Sequence, residues 1–235
     1  MRSFLAHGHA YHLYVYKPIA NVPDGVLMMD AAEILPESAI FRYGEFNSVA
    51  GFANFFRYKL LLDRGGWWCD TDLVCLKPFP EDPVVFSAQL NQHGTAEEPN
   101  VGAIRLPARS EFAARAWNVC QTKDPKQIRW GETGPDLTRQ IIEDLNLWST
   151  VKTAAAFCPV PFPTWQVILE PNHKWNFGDE TYAVHLWNEL WRRAGKDKNK
   201  IYDKGCLYEQ LKRRYGLGPR RYWPHQLRRL FLHSS

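Results

Sequence analysis

The sequence predicts an α/β fold, a sheet flanked by helices, in one main domain. Three observations predict it. Short apolar runs alternate with helical stretches along the chain, with no internal repeat and no low-complexity segment. A length of 235 residues suits one domain with a small appendage and is enough to bury a sizeable core. A composition of 45% hydrophobic and 23% charged residues excludes a disordered or fibrous chain.

The elements follow from local pattern. Tyr11 to Tyr16 is rich in β-formers and stops at Lys17-Pro18, so it reads as a strand. Val26 to Met29 is a second, shorter one. Ser48 to Asp63 is the clearest helix: Ser48 is placed to cap it, and Gly65-Gly66 ends it. It is apolar on nearly every face, so it should be well buried. Trp67 to Cys69 is an apolar run entering Asp70-Thr71-Asp72. Val84 to Ala88 and Val101 to Leu106 read as strands separated by a polar loop, Asn91 to Asn100. Ser110 to Thr122 is helical, and Gly134-Pro135-Asp136 opens a helix over Leu137 to Leu145, with Asp136 read as its cap. Cys158 to Pro163 is a stiff Pro-rich loop. Tyr182 to Trp187 is a further strand. Beyond Trp191, four glycines leave room only for short helices.

Charge divides the chain. Residues 192–235 carry 13 Lys/Arg against 3 Asp/Glu, whereas residues 1–191 carry 16 against 22. The expected organisation is therefore a domain over 1–191 and a basic, aromatic-rich extension over 192–235. The extension holds Tyr202, Tyr208, Tyr215, Tyr222, Trp223 and Phe231. That mixture suits either a solvated helical face or contact with an anionic membrane surface, with nucleic acid the least favoured partner. The five cysteines are scattered and include no Cys-x-x-Cys pair, so zinc-site spacing is absent and free buried thiols are expected. The first residues do not read as a signal peptide, no run reaches the length of a membrane span, and no Asn-x-Ser/Thr sequon occurs. The expected location is the cytoplasm, with peripheral contact at the inner membrane face as one of the two readings of the basic tail.

The chemistry centres on Asp70 and Asp72. Two carboxylates at i and i+2 leaving an extended strand point the same way, with Cα atoms about 6 to 7 Å apart. Such a pair can bind Mg²⁺ or Mn²⁺, which take oxygen ligands and share them with phosphate. The end of an apolar strand is also where open α/β sheets bind ligands. Asp-x-Asp alone is common on solvated turns. Here a buried helix with Arg57, then Leu60-Leu61-Leu62, Gly65-Gly66 and two tryptophans precede it, which makes a long ordered signature.

Residues 52–79, FANFFRYKLLLDRGGWWCDTDLVCLKPF, resemble the sugar-binding region of the DXD-containing glycosyltransferases. That group includes bacterial capsule and lipopolysaccharide transferases and the α-1,4-glycosyltransferases (glycosyltransferase family thirty-two). Weaker similarity runs through Asn100-Val101-Gly102-Ala103 and Thr133-Gly134-Pro135 to His185 and Trp191. The resemblance implies a GT-A-type, Rossmann-like mixed sheet flanked by helices, a nucleotide-sugar donor, Mn²⁺ or Mg²⁺, a saccharide or glycolipid acceptor, and retention at the anomeric carbon. Its implied metal ligands are Asp72 and His185, and its catalytic pair is Asp70 and Asp72. Asn54, Arg57, Gly66, Asp70, Asn100 and His185 form the implied donor-binding set. Thr133, Gly134 and Pro135 line the implied acceptor side. Two departures stand out. Family members usually carry Asp where this chain has Asn54. They also usually open on a strand that helps to hold the nucleotide base, whereas this chain begins at what reads as the following helix.

Blander readings stand beside these. Arg57 suits a helix-surface position or an ion pair, and His185, in an apolar run, suits a structural role. Trp187 and Trp191 suit core packing as well as sugar stacking. Glu132 is a candidate acceptor contact. Two rival functions remain: a haloacid-dehalogenase-type phosphatase, disfavoured because no later strand ends in paired acids, and a degenerate, non-catalytic nucleotide-sugar-binding protein, supported by Asn54 and the missing first strand.

Overall fold

A computed structural model describes residues 1–43 and 46–217. The chain opens with helix α1 (Arg2–Ala6) and the parallel strands β1 (Tyr11–Val15) and β2 (Val26–Asp30). Helix α2 (Ala50–Arg64) follows, then β3 (Gly66–Cys69), β4 (Leu73–Cys75), β5 (Val85–Leu90) and β6 (Glu97–Leu106). The second half holds α3 (Glu111–Thr122), α4 (Leu137–Asp144), α5 (Ala154–Phe157), β7 (Ala183–His185), α6 (Asn188–Arg193) and α7 (Leu207–Arg214). This is a mixed α/β, GT-A-like arrangement.

Strands β3, β6 and β5 form an antiparallel sheet in that order, and β4 pairs antiparallel with β7. The three-stranded sheet separates two cores. Val85 and Ala103 face a core shared with Phe79, Phe157, Val184 and Leu211, while their chain neighbours Phe86 and Ile104 face one built with Tyr58, Phe112 and Ile142. This is the period-two alternation of a strand buried on both faces. A smaller cluster, with Ala31 and Ile34, packs against Phe52, Phe56 and Leu60 of α2.

Helix α2 ends as its glycines require. Gly65 has φ 65° and ψ −161°, a conformation open essentially to glycine, and a Cβ there would lie 2.4 Å from the Ala108 nitrogen. The start of α2 differs from expectation. Val49 occupies the cap position, and Ser48 Oγ instead accepts from Ala50 N at 3.3 Å. Asp136 stands at the start of α4 but is already helical and makes no capping bond; its carboxylate lies 4.0 Å from Arg139. The expected loop 91–100 is shorter than predicted. Strand β6 begins at Glu97, because its polar residues pair inward: Glu98 Oε1 accepts from Gln89 Nε2 at 2.8 Å, and Glu97 Oε1 from Ala154 N at 2.8 Å.

Residues 192–217 join the same body. Leu207 and Leu211 are buried in the core, and Tyr215 donates to the Cys75 carbonyl at 2.6 Å. The cysteines are free thiols, four of them buried. Among the described residues no helix is long and apolar enough to cross a membrane. Tyr222, Trp223 and Phe231 lie outside the described residues.

Candidate active site

The site forms where the two antiparallel pairs meet. In the β3–β6 register Cys69 lies opposite Ala103, so Asp70 emerges beside Gly102 and its N–H donates to the Gly102 carbonyl at 2.8 Å. In the β4–β7 register Leu73 lies opposite His185, and Leu186 N donates to the Asp72 carbonyl at 3.0 Å. The link between the pairs is a turn closed by Leu73 N donating to the Asp70 carbonyl at 3.0 Å. The two carboxylates therefore converge through this turn and not through strand alternation, and the strand before them is a half-buried edge strand. One ligand atom each from Asp70, Asp72 and His185 lie within 4.8 Å of one another.

Each side chain is held. Asp70 Oδ1 accepts from Trp68 Nε1 at 2.7 Å and from Arg57 Nη2 at 3.0 Å. Arg57 is 2% exposed and its guanidinium lies over the Trp68 ring, 4.7 Å from the centroid. It also donates to Asn54 Oδ1, and Asn54 Nδ2 donates to Thr133 Oγ1 at 3.4 Å. Buried charges need such partners, so Arg57 is no surface arginine. Its Nε has no partner among the described residues.

Asp72 Oδ2 accepts from the backbone N–H of Asn188 at 2.8 Å, and Oδ1 lies 3.2 Å from His185 Nε2. Burial alone would raise the Asp72 pKa, but the His185 charge, their hydrogen bond and the Asn188 N–H outweigh it, so the pKa lies below the usual carboxylate value. Burial likewise opposes charge on His185. The Asp72 charge and hydrogen bond overcome it and hold His185 well above the ordinary histidine value. The other ring nitrogen, Nδ1, faces Cys158 Sγ at 3.9 Å, a second partner of the kind that fixes which nitrogen is free to bind a metal.

Trp187 shapes this corner. It has φ 56° and ψ 44°, a left-handed conformation rare for a bulky residue and costing roughly 1–3 kcal/mol. The turn ends β7 and aims the next residue's N–H at Asp72. Its indole donates to the Val160 carbonyl at 2.8 Å, and its ring centroid lies 4.0 Å from that of His185.

The floor is Gly102. A Cβ there would stand 2.8 Å from Asn100 Oδ1, 3.3 Å from His185 Cε1 and 3.5 Å from Asp70 Oδ2. The missing side chain keeps open the space between the acid and the imidazole. Beside that space, one ligand atom each from Asp70, Asp72 and His185 form a group that could hold a metal ion. Asn100 is buried, with Oδ1 accepting from Gly102 N at 2.7 Å and Nδ2 donating to Gln89 at 2.7 Å. Its amide therefore sets the floor. Thr133 and Gly134 are buried behind Asn54; a Cβ on Gly134 would lie 3.0 Å from Asn54 Nδ2. Pro135 is half-buried and Gly66 is exposed at the start of β3. Glu132 is tied to Lys123 at 2.7 Å.

Residues 122–217 match the family model described as the alpha 1,4-glycosyltransferase conserved region. The chain is a glycosyltransferase. The matched segment of this glycosyltransferase contains the Thr133-Gly134-Pro135 turn, His185, Trp187 and α4 through α7, whereas Asn54, Arg57, Asp70, Asp72 and Asn100 precede it. The fold thus joins an acidic turn from the first half to a histidine from the matched half. As a glycosyltransferase it acts between a sugar donor and an acceptor, and the phosphatase reading is set aside. Sequence reasoning did not single out Trp68 or Asn188 as site residues. The first was accessible, because Trp68 and Asp70 sit two apart at the end of a strand. The second was not, because Asn188 contributes only its backbone.

Proposed function

We propose that this glycosyltransferase moves a hexose from a nucleoside-diphosphate sugar, UDP-linked in the first instance, to a saccharide or glycolipid acceptor, as in capsule or lipopolysaccharide assembly. The observation that carries the reading is the convergence of Asp70, Asp72 and His185 within 4.8 Å. Asp72 and His185 would hold Mn²⁺ or Mg²⁺, with Asp70 between metal and donor. The bound ion would neutralise charge on the departing diphosphate.

The chain's own residues do the positioning. Arg57 fixes Asp70 and, with Asn54, makes a buried polar wall that continues to the Thr133-Gly134-Pro135 turn on the acceptor side. Asn100 and Gly102 keep the floor clear. Both carboxylates are engaged, Asp70 by Arg57 and Trp68, Asp72 by His185 and Asn188. Neither is a free nucleophile, so the retention that the resemblance implies would run by front-face displacement through an oxocarbenium-like transition state. Asn54 keeps the hydrogen bond to Arg57 that a carboxylate would make, so the Asp-to-Asn departure does not argue for a degenerate site. The basic extension is assigned to peripheral contact with an anionic membrane surface.

The test is donor hydrolysis or transfer by purified protein with UDP-hexoses. Activity should require Mn²⁺ or Mg²⁺, vanish with chelator and vanish in Asp72→Ala. Activity that persists under chelation and in Asp72→Ala would sink the metal role.

A further inference from the structure

The β5–β6 ladder breaks where it meets the site. Phe86 pairs with Ile104 and Ser87 with Asn100, so Val101, Gly102 and Ala103 bulge out with no partner residue in β5. Bulges re-aim the chain and are over-represented beside active sites. This one places Gly102 under the metal corner, and side chains fasten it. Asn100 Oδ1 accepts from Gly102 N at 2.7 Å, and Ser87 Oγ accepts from Ala103 N at 3.2 Å.

A chain of hydrogen bonds runs on from Asn100. Its Nδ2 donates to Gln89 Oε1 at 2.7 Å, and Gln89 Nε2 donates to Glu98 Oε1 at 2.8 Å. Gln89 and Glu98 lie opposite each other in the register, each two residues from the Ser87–Asn100 pair, so all four share one face of the sheet. Asn100 and Gln89 are buried, so their amides must be satisfied. The two ends of the chain have fixed character: a backbone N–H only donates and a carboxylate only accepts. Each amide between them can be turned end for end. Only one orientation satisfies every link, with both amide oxygens toward Gly102 and both NH₂ groups toward Glu98.

That orientation bears on the metal corner. The point where a Gly102 Cβ would stand is 2.8 Å from Asn100 Oδ1, 3.3 Å from His185 Cε1 and 3.5 Å from Asp70 Oδ2. With its oxygen inward, Asn100 gives the corner an electronegative wall, which suits a cation that takes oxygen ligands. A reversed amide would set an NH₂ donor against the Gly102 N–H and toward the cation, and both contacts would be repulsive.

We propose that Gln89 and Glu98 are positioning residues of the metal corner, acting through Asn100: they fix its amide so that oxygen, not NH₂, faces Gly102 and the space beside Asp70 and His185. The inference rests on the metal reading above and adds to it two residues that touch neither metal nor donor.

The experiment is calorimetric titration of the full chain with Mn²⁺ and with Mg²⁺, without donor, at a temperature where thermal melts show every variant folded. Glu98→Met and Glu98→Gln remove the same charge, but only Gln keeps an oxygen to accept from Gln89 Nε2. Glu98→Met should weaken binding of whichever ion the wild type takes by about tenfold, the lower end of what partners of metal ligands give. Glu98→Gln should keep wild-type affinity. Gln89→Glu sets two carboxylates against each other and should also weaken binding. Adding Glu98→Gln to it exchanges the two groups, keeps the net charge and the orientation of Asn100, and should restore affinity, a coupling that separate structural losses would not produce. Equal affinity in wild type and Glu98→Met would overturn the proposal, whether or not the melting temperature falls. So would a loss in Glu98→Gln as large as in Glu98→Met, or a double variant no better than Gln89→Glu. These outcomes leave the metal reading intact. A wild type that binds neither ion would overturn both.

Discussion

His185 Nε2 lies 3.2 Å from Asp72 Oδ1, and the β4–β7 pairing sets this distance by placing His185 opposite Leu73. A residue from the end of the domain thereby becomes part of a turn from its first third. The contact is an ion pair that a divalent cation can replace, since both atoms are ligand atoms and Asp70 stands within the same 4.8 Å. His185→Ala should therefore lower Mn²⁺ affinity more than about tenfold, a loss that even partners of metal ligands commonly give. Titration calorimetry reads it. Undiminished Mn²⁺ affinity in His185→Ala would remove the histidine from the metal set.

Arg57 is the structural counterpart of that pair. It satisfies Asn54 and Asp70 with separate nitrogens while lying over Trp68. Arg57→Met keeps the volume but strands both partners, and urea denaturation should show a loss of roughly 1–3 kcal/mol. Arg57→Lys should not recover it, because a single ammonium cannot reproduce the planar fork. Full rescue by lysine would mean that the contact with Asn54 carries nothing.

These two sites differ in how far the sequence disclosed them. Asp70, Asp72, Arg57 and the Gly65 stop were legible because each belongs to one contiguous segment with local rules: a helix, a glycine break, a short strand. His185 was legible only through resemblance, since its role depends on a strand pairing that no local pattern encodes. The reason the acids converge was misread. Alternation along a strand was expected, and a turn closed by Leu73 and Asp70 does it instead. Asn100 looked like a sugar contact, yet its amide is occupied by Gly102, Ser87 and Gln89, a network that forms only once β5 and β6 pair. The caps at Ser48 and Asp136 failed because helix starts are decided by one or two residues of backbone geometry that residue type alone does not fix.

Gly65 should be the least replaceable glycine of the α2–β3 junction. Gly65→Ala places Cβ 2.4 Å from the Ala108 nitrogen, 3.0 Å from the Leu106 carbonyl oxygen and in a glycine-only conformation. The expected loss exceeds the roughly 1–3 kcal/mol of a strained backbone position. Gly94→Ala is the control: φ is 68° there too, but nothing lies within 4 Å. Thermal melts in which the two variants lose equal stability would show that strain alone, and not the clash, sets the cost.

The basic extension offers a surface test. Lys212, Arg213 and Arg214 all have partners within the fold, Glu209 and the Lys204 and Leu76 carbonyls. Beside the exposed Lys196, Lys198, Lys200 and Lys204, the candidates for contact with an anionic bilayer are Arg220, Arg221, Arg228 and Arg229, which lie outside the described residues. Replacing these four arginines with serine should weaken binding to phosphatidylserine vesicles by roughly a hundredfold or more, at about 1 kcal/mol per charge near the surface, and added salt should weaken it too. Sedimentation that ignores both lipid charge and salt would dismiss the membrane role.

Gly102→Ala is the sharpest probe of the site, because it adds one methyl group and removes nothing. The new Cβ would press on Asn100 Oδ1 at 2.8 Å and His185 Cε1 at 3.3 Å, in the space that the Asp70 carboxylate also borders. Gly102 is not at positive φ, so no backbone strain is added. Asn100 cannot simply turn away, since its amide bonds to Gly102 N, Ser87 Oγ and Gln89. The imidazole is the softer neighbour but is packed against Trp187. Something in the metal corner must therefore move by a few tenths of an ångström. Metal coordination is sensitive on that scale, with ligand distances holding to within about 0.2 Å. Mn²⁺ affinity and transfer should fall together, by tenfold or more, while the melting temperature changes much less than in Gly65→Ala. If Gly102→Ala bound Mn²⁺ as the wild type does, the space above Gly102 would not be where the ion sits.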